Sequence, residues 1–145
     1  MVRAVASLSA GDPHTAWAGG EVLRAGGNAV DACVGATLAA CAAEPVLTAP
    51  FGGGFALCAG PDIEHVAYDF FADIPGRGLP PAGEVPELDF AALEVSFGPT
   101  TQVFHAGRAA AARGLLLPGL VQMQAELGRL PLSQVVAPAA TLAER

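Results

Sequence analysis

The sequence predicts a layered domain that combines helices with strands, that is, an α/β or α+β fold. Three observations predict it: two capped helical segments lie within residues 12–43, a strand–turn–strand pattern follows the glycines at 52–54, and two more helical segments occupy 118–144. Of the 145 residues, 52% are hydrophobic and only 14% are charged. This is the composition of one domain with a buried core rather than of a disordered chain.

The first helix is predicted to begin at Asp12-Pro13 and to end at Gly26. Aspartate is a strong N-cap, proline is tolerated at the first helical position, and glycine readily adopts the left-handed conformation that closes a helix. The packed side of this helix is predicted to consist of Ala16, Trp17, Gly20 and Leu23.

The second helix is predicted over residues 29–43 and is small and apolar on every face. Asn28 is placed to cap it, and Asp31 lies three residues further on, where its carboxylate can accept from the free amides of the helix N-terminus. The Glu44-Pro45 step ends the helix, because the residue before proline avoids the helical conformation. Such a helix is expected to be buried on most sides and to form a hairpin with the first.

Residues 55–59 are predicted to form a short buried strand, and residues 63–69 its partner across a Gly60-Pro61-Asp62 turn. Residues 72–88 contain four prolines and several glycines, which predicts an irregular surface loop within a single domain spanning 1–145.

A second hairpin is predicted from residues 93–97 and 102–106. Two helices follow, over residues 118–127 and 131–144, and Pro138 is expected to bend the latter unless that helix starts late. The three cysteines are interpreted as buried, reduced thiols, since the two on the second helix lie eight residues apart, too far for a disulfide, and the total is odd.

Charge and motifs exclude several function classes. Seven basic against fourteen acidic residues give a net charge of −7, which argues against a nucleic-acid or anionic-membrane partner. The histidines lie far apart without companions at metal-ligand spacing, and the glycine run lacks the context of a nucleotide-binding loop, so neither a metal nor a cofactor is predicted. With no convincing signal peptide and no helix of about 20 apolar residues, a cytoplasmic protein is expected.

Three stretches carry a family resemblance. Residues 23–32, Leu-Arg-Ala-Gly-Gly-Asn-Ala-Val-Asp-Ala, followed by Glu44-Pro45 and Gly52-Gly-Gly-Phe55, resemble the start of the gamma-glutamyltranspeptidase family. Further along, the segments similar to the family's Val-Pro-Gly and to its next two helices are Leu117-Pro-Gly-Leu120, residues 128–132, Ala137-Pro-Ala139 and Leu142-Ala143.

The resemblance implies part of an Ntn-hydrolase fold, a four-layer αββα sandwich that is incomplete in this chain. In the family, a precursor cuts itself and frees a threonine, whose own amine acts as base while its hydroxyl attacks a γ-glutamyl amide such as that of glutathione. That threonine belongs to the C-terminal half, so no catalytic residue is expected within these 145 residues. The implied partners are the C-terminal half or small subunit of the same enzyme and a small-molecule amide substrate.

The family's Asp-Phe-Arg-Glu segment carries an arginine that binds the substrate's α-carboxylate, and the matching run here is Asp69-Phe70-Phe71-Ala72. Phe71 therefore stands at a substrate-binding position without the bidentate guanidinium. Arg77 is the candidate replacement for the missing charge, although a solvated loop arginine is the commoner situation.

Three functional hypotheses follow. The first is the N-terminal part of a gamma-glutamyltransferase-like Ntn-hydrolase, inactive on its own. The second is an amidase or acylase of the same fold whose substrate lacks a free amino-acid head, as Phe71 indicates. The third is a non-catalytic remnant or a subunit that requires a partner chain.

Overall fold

The computed structural model describes residues 6–61, 63–74 and 87–145. Every helix and strand predicted from the sequence is present, and a short 3-10 turn is added. The elements in chain order are α1 (Pro13–Arg24), α2 (Ala29–Ala43), β1 (Phe55–Gly60), β2 (Ile63–Asp69), β3 (Ala91–Ser96), β4 (Thr101–Ala106), the 3-10 turn (Arg108–Ala110), α3 (Leu116–Leu127) and α4 (Leu132–Ala143). The contacts divide the chain into two units, one formed by the residues up to Phe71 together with Gly114–Arg145, the other by Ala72–Arg113.

The predicted helical hairpin is confirmed, with the predicted signals at its ends. The Asp12 side chain accepts hydrogen bonds from the backbone amides of His14 and Thr15 and caps α1. Gly26 then turns the chain with a φ of 95°, a conformation that side-chain-bearing residues rarely adopt.

The predicted packed side of α1 is wrong by about one residue. The buried positions are Thr15, Ala18, Gly19 and Val22, whereas Trp17 and Leu23 are only half-buried. The reason is a close approach of backbones: a Cβ added to Gly19 would lie 3.0 Å from the Ala32 carbonyl oxygen of α2. This close approach at Gly19 fixes which side of α1 faces α2.

Helix α2 is the central element of the first unit and packs against α1, α3 and α4. Eight of its fifteen residues are buried, as its composition predicted. A Cβ added to Gly35 would lie 3.0 Å from the Val135 carbonyl oxygen of α4, so this contact is also made by backbone. The main core cluster consists of Val22, Val30, Ala32, Val34, Phe70, Leu116, Leu120, Met123 and Val135.

The side chain of Asp31 is fully buried at the start of α2. Its carboxylate accepts four hydrogen bonds, from the backbone amides of Asn28 (3.0 Å), Arg129 (2.9 Å) and Leu130 (3.2 Å) and from Nε2 of Gln124 (3.1 Å). Asp31 therefore connects the beginning of α2 to the end of α3 and to the α3–α4 connection.

The Asn28 side chain completes the predicted capping box. Its Oδ1 accepts from the Asp31 backbone amide at 2.9 Å, and its Nδ2 donates to the Leu127 carbonyl oxygen at 2.7 Å. The two residues that cap α2 thus also hold the C-terminus of α3.

Strands β1 and β2 form an antiparallel pair with Phe55 opposite Asp69 and Leu57 opposite Ala67. The prediction that β1 is buried is wrong, because exposed and half-buried residues alternate along it. Among the described residues of this unit, the helices cover only the face that carries Ala56, Cys58 and Tyr68. Residues 55, 57, 67 and 69 lie on the opposite, exposed face.

Helix α3 begins at Leu116, two residues before the predicted Pro118. The amides of Leu115 and Leu116 both donate to the Gly52 carbonyl oxygen at 3.0 Å, which satisfies donors at the helix start without a side-chain cap. Helix α4 runs continuously through Pro138.

In the second unit, β3 and β4 form the predicted antiparallel hairpin, and all residues of both strands are exposed. Asp73 and Arg113 pair through two backbone hydrogen bonds of 3.0 and 2.9 Å. Most of the predicted 72–88 loop lies outside the described residues, so its irregular character stays a prediction. Within the part of the chain that the structure describes, no helix has the length and apolarity to cross a membrane.

We expect Asp31→Asn to lower the free energy of unfolding by about 2–3 kcal/mol, measured by urea denaturation. The amide has one acceptor oxygen where the carboxylate has two, so at least one buried donor loses its partner. Asp12→Asn is the control and should change stability by no more than about 0.5 kcal/mol, since asparagine caps a helix as well as aspartate does. Equal effects of the two substitutions would contradict the role assigned to Asp31.

Wild type and Asp31→Asn also test how the free energy of unfolding depends on pH. Burial raises the pKa of Asp31, but the hydrogen bonds from Asn28, Gln124, Arg129 and Leu130 outweigh burial and leave the pKa below its usual value. A lowered folded pKa means that the stabilisation is complete above the unfolded pKa of about 3.9 and is lost as the pH falls through the folded pKa. The stability gap between wild type and Asp31→Asn should therefore shrink below about pH 4.

Candidate functional site

The backbone hydrogen bonding between β1 and β2 extends one residue past the end of β2, and the predicted site residue Phe71 follows directly. Gly54 and Phe70 exchange two backbone hydrogen bonds, of 3.2 and 3.1 Å. Phe70 is 5% exposed and enters the core between Gly54 and Gly119. A Cβ added to Gly54 would lie 3.0 Å from the Phe70 ring, and a Cβ added to Gly119 would lie 2.3 Å from the Phe70 Cβ. With Phe70 directed inward, its neighbour in the sequence is directed outward.

Phe71 is 58% exposed and stacks on Phe55 of β1, with ring centroids 5.4 Å apart and ring planes 10° apart. Its backbone amide donates to Oδ1 of Asp69 at 3.0 Å, which fixes the turn after β2. Leu57 lies two residues beyond Phe55 on the same side of the strand and is 77% exposed. We call these residues the open face: Phe55, Leu57, Ala67, Asp69 and Phe71.

The five residues of the open face are apolar or aromatic apart from the single carboxylate of Asp69, and none of them is a lysine or an arginine. They offer no guanidinium to the carboxylate of an amino-acid substrate, and Asp69 would repel it. Arg77, the candidate replacement for the missing arginine, lies outside the described residues, so its use as a substrate ligand stays a prediction.

His14, at the start of α1, has a structural partner rather than a catalytic one. His14 is exposed and lies against its own helix cap, with Nδ1 3.1 Å from Oδ1 of Asp12. Among the described residues, no three His, Cys, Asp or Glu side chains are grouped so that they could hold a metal ion.

The contact between Tyr68 and Glu126 was not predicted from the sequence. The Tyr68 hydroxyl, on the covered face of β2, donates to Oε2 of Glu126 on α3 at 2.6 Å, and Nε2 of Gln122 donates to the other oxygen at 2.9 Å. The hydrogen bond to Glu126 raises the pKa of Tyr68 to about 12 and lowers the pKa of Glu126. The partners are 58 residues apart, and no local pattern relates them.

An open cavity of about 510 Å³ lies between β1 and the start of α2. We call it the β1 groove; it is lined by Asn28, Ala29, Val30, Cys33, Phe55, Ala56, Leu57, Cys58, Ala59 and Met123. The predicted burial of the cysteines is wrong: Cys33 is exposed, while Cys41 and Cys58 are half-buried, and all three are free thiols. Cys33 and Cys58 owe their exposure to the groove that they line.

Comparison with known proteins supports one family throughout. The sequence profile described as Gamma-glutamyltranspeptidase matches residues 15–145. The Acylase ACY 1 proenzyme of Pseudomonas sp. (strain SE83) is 32% identical over 137 residues. The crystal structure of Helicobacter pylori gamma-glutamyltranspeptidase superposes with a TM-score of 0.72 at 29% identity, and that of the Pseudomonas nitroreducens gamma-glutamyltranspeptidase complexed with L-DON with 0.69 at 25% identity.

These matches cover most of this chain but a minor part of each relative. The acylase alignment spans 92% of this chain and 23% of the acylase. The two superpositions span 99% and 94% of this chain and 38% of each solved chain. The four helices and two antiparallel hairpins therefore correspond to part of an Ntn-hydrolase fold of the gamma-glutamyltranspeptidase type, as the sequence predicted.

The Tyr68–Glu126 contact is open to direct test, because Tyr68 is the one tyrosine of the sequence. We expect the phenolate absorbance to rise with a midpoint near pH 12 when recorded just after a pH jump, before alkaline unfolding. Glu126→Gln removes the negative acceptor and should lower the midpoint towards about 10. Glu64→Gln, an exposed carboxylate four residues before Tyr68 on the same strand, is the control and should leave it unchanged. A wild-type midpoint near 10 would contradict the contact.

Proposed function

Because the chain belongs to the gamma-glutamyltranspeptidase family, we propose that it forms the N-terminal part of an Ntn-hydrolase that cleaves a small-molecule amide. The nucleophile is a threonine outside these 145 residues, freed when the precursor cuts itself, and its own α-amine serves as the general base. The observation that carries this proposal is the match over residues 15–145 to a family whose members extend well beyond it. The word proenzyme in the name of the Pseudomonas acylase supports a processed precursor.

The partner in this proposal is the C-terminal half or small subunit of the same enzyme. The β1–β2 pair supports it, because the helices cover one face and the open face is left to solvent with Phe55, Leu57 and Phe71 more than half exposed. Burial of such a face stabilises an assembly by roughly 25 cal/mol for each Å² removed from water. In the assembled enzyme the open face supplies one wall of the acyl pocket.

The acyl group in this proposal is uncharged and apolar, which makes the enzyme an acylase or amidase. Phe71 stands where the resemblance places an arginine, and its ring is already engaged by Phe55 at 5.4 Å. Asp69 adds a negative charge to the same face. The acylase name of a relative at 32% identity supports this choice.

The rival function is γ-glutamyl transfer or hydrolysis, with glutathione as the type of substrate. It requires a cation for the substrate's α-carboxylate, and Arg77 is the candidate that the sequence offers. The two functions differ in one measurable quantity, the ratio of turnover on an acyl amide to turnover on a γ-glutamyl amide.

The proposal is tested on the protein in its full natural length. We expect intact mass spectrometry to find two fragments, the smaller of which begins with threonine, and we expect the processed protein to hydrolyse acyl p-nitroanilides. An uncut protein without turnover on either substrate class would overturn the enzymatic proposal and favour the non-catalytic hypothesis.

In that protein, Phe71→Arg should raise the kcat/KM ratio of γ-glutamyl-p-nitroanilide to an acyl p-nitroanilide by about tenfold or more. A hydrogen bond to a charged group is typically worth about 1.5–3 kcal/mol, and 1.4 kcal/mol corresponds to tenfold. Phe97→Arg is the matched control, since Phe97 is 56% exposed against 58% for Phe71 and lies beside the β3–β4 turn. A wild-type preference for the γ-glutamyl substrate that neither variant alters would contradict an apolar acyl pocket.

A further inference from the structure

Three sulfur atoms line the β1 groove, each from a different element. Cys33 belongs to α2, Cys58 to β1 and Met123 to α3. Sγ of Cys58 lies 3.7 Å from Sδ of Met123. We call these three residues the sulfur cluster. Cys58 lies on the covered side of β1, although Phe55 and Leu57 of the open face also line the groove.

The spacing of the Cys58 and Met123 sulfurs fits two ligands of one ion. Two sulfurs that each lie about 2.3 Å from a metal ion, at an angle of about 110–120°, are about 3.8–4.0 Å apart. The distance of 3.7 Å between Cys58 and Met123 is within about 0.1 Å of that range. Cys33 lines the same groove from α2, and its exposure gives an ion a path from solvent.

The rest of the groove decides which kind of ion. Its lining contains no carboxylate and no imidazole. The side chain of Asn28, the one amide in the lining, is already engaged by the Asp31 amide and the Leu127 carbonyl. Hard cations therefore find no oxygen ligands, and Zn²⁺ lacks the four N, S or O ligands of its structural sites. Two thiolates and a thioether are the ligand set that selects Cu(I).

We propose that Cys33, Cys58 and Met123 form a three-coordinate site for a soft monovalent cation, Cu(I) above all. Binding displaces the two thiol protons to solvent and leaves both sulfurs as thiolates on the ion. Burial raises the pKa of the Cys58 thiol, and the nearby Cys33 raises it further. A cation between the two sulfurs offsets both effects, because it balances the paired negative charges.

The test is a competition for Cu(I), held as its bicinchoninate complex under anaerobic conditions, on the purified protein. We expect wild type to withdraw one Cu(I) per chain. Cys33→Ser or Cys58→Ser should weaken binding by about a hundredfold or more, since loss of even an outer-shell partner costs roughly 10–100-fold. Cys41→Ser is the matched control, a thiol on the same helix whose Sγ instead contacts the Thr37 carbonyl, and it should bind like wild type.

Met123→Leu conserves volume and is expected to keep the fold, which circular dichroism checks, while weakening Cu(I) binding about tenfold. X-ray absorption at the copper edge should count three sulfur neighbours. Equal losses in all three cysteine variants, or two or fewer sulfur neighbours on copper, would overturn the proposal. Neither result depends on amide cleavage, so the Cu(I) site and the proposed enzymatic function can fail separately.

Discussion

The first unit depends on one buried carboxylate. A charged group enclosed by protein is costly unless its oxygens are hydrogen-bonded, and Asp31 meets that condition with four donors at 2.9–3.2 Å. Three of those donors belong to residues 124–130, close to a hundred positions away in the sequence. The carboxylate therefore determines where α3 ends relative to the start of α2, and it leaves α4 to continue from a fixed point. The core of Val34, Met123 and Val135 closes around that arrangement.

Two glycines, Gly54 and Gly119, connect the packing of the helices to the candidate site. Gly119 of α3 lies so close to Phe70 that a methyl group would not fit, and Gly54 accepts the edge of the same ring. Phe70 is thereby held inward, and the alternation of the backbone directs Phe71 outward onto Phe55. The identity of the residue at the surface thus follows from where the helices place one buried ring. An arginine at position 71 would occupy the same outward position without any change in the core.

The sequence predicted what local interactions determine. The Asp12 cap, the Asn28–Asp31 capping box and both hairpins follow from signals within a few residues of each other, and the structure confirms them. The start of α3 lies two residues before its predicted position, because its amides bond to the distant Gly52 carbonyl. Contacts between distant segments were not predictable: the buried side of α1 depends on the α2 backbone, and the Tyr68–Glu126 pair depends on how β2 meets α3. The exposure of β1 was missed for a related reason, since an apolar strand has the same composition whether one face or both are covered. Phe71 was singled out through the family resemblance, and its role in substrate binding stays a prediction.

Strand β1 joins the two proposed sites through its register. Because side chains alternate, Phe55 and Leu57 lie on the open face while Cys58 lies against Met123 on the covered face. A shift of one residue would exchange the two faces and remove both the aromatic stack and the sulfur cluster. The irregularity between Cys58 and Gly60 and the paired hydrogen bonds of Gly54 with Phe70 secure the two ends of the strand. The two sites therefore differ in ligand chemistry yet depend on one pairing, so a substitution that alters the register must affect both.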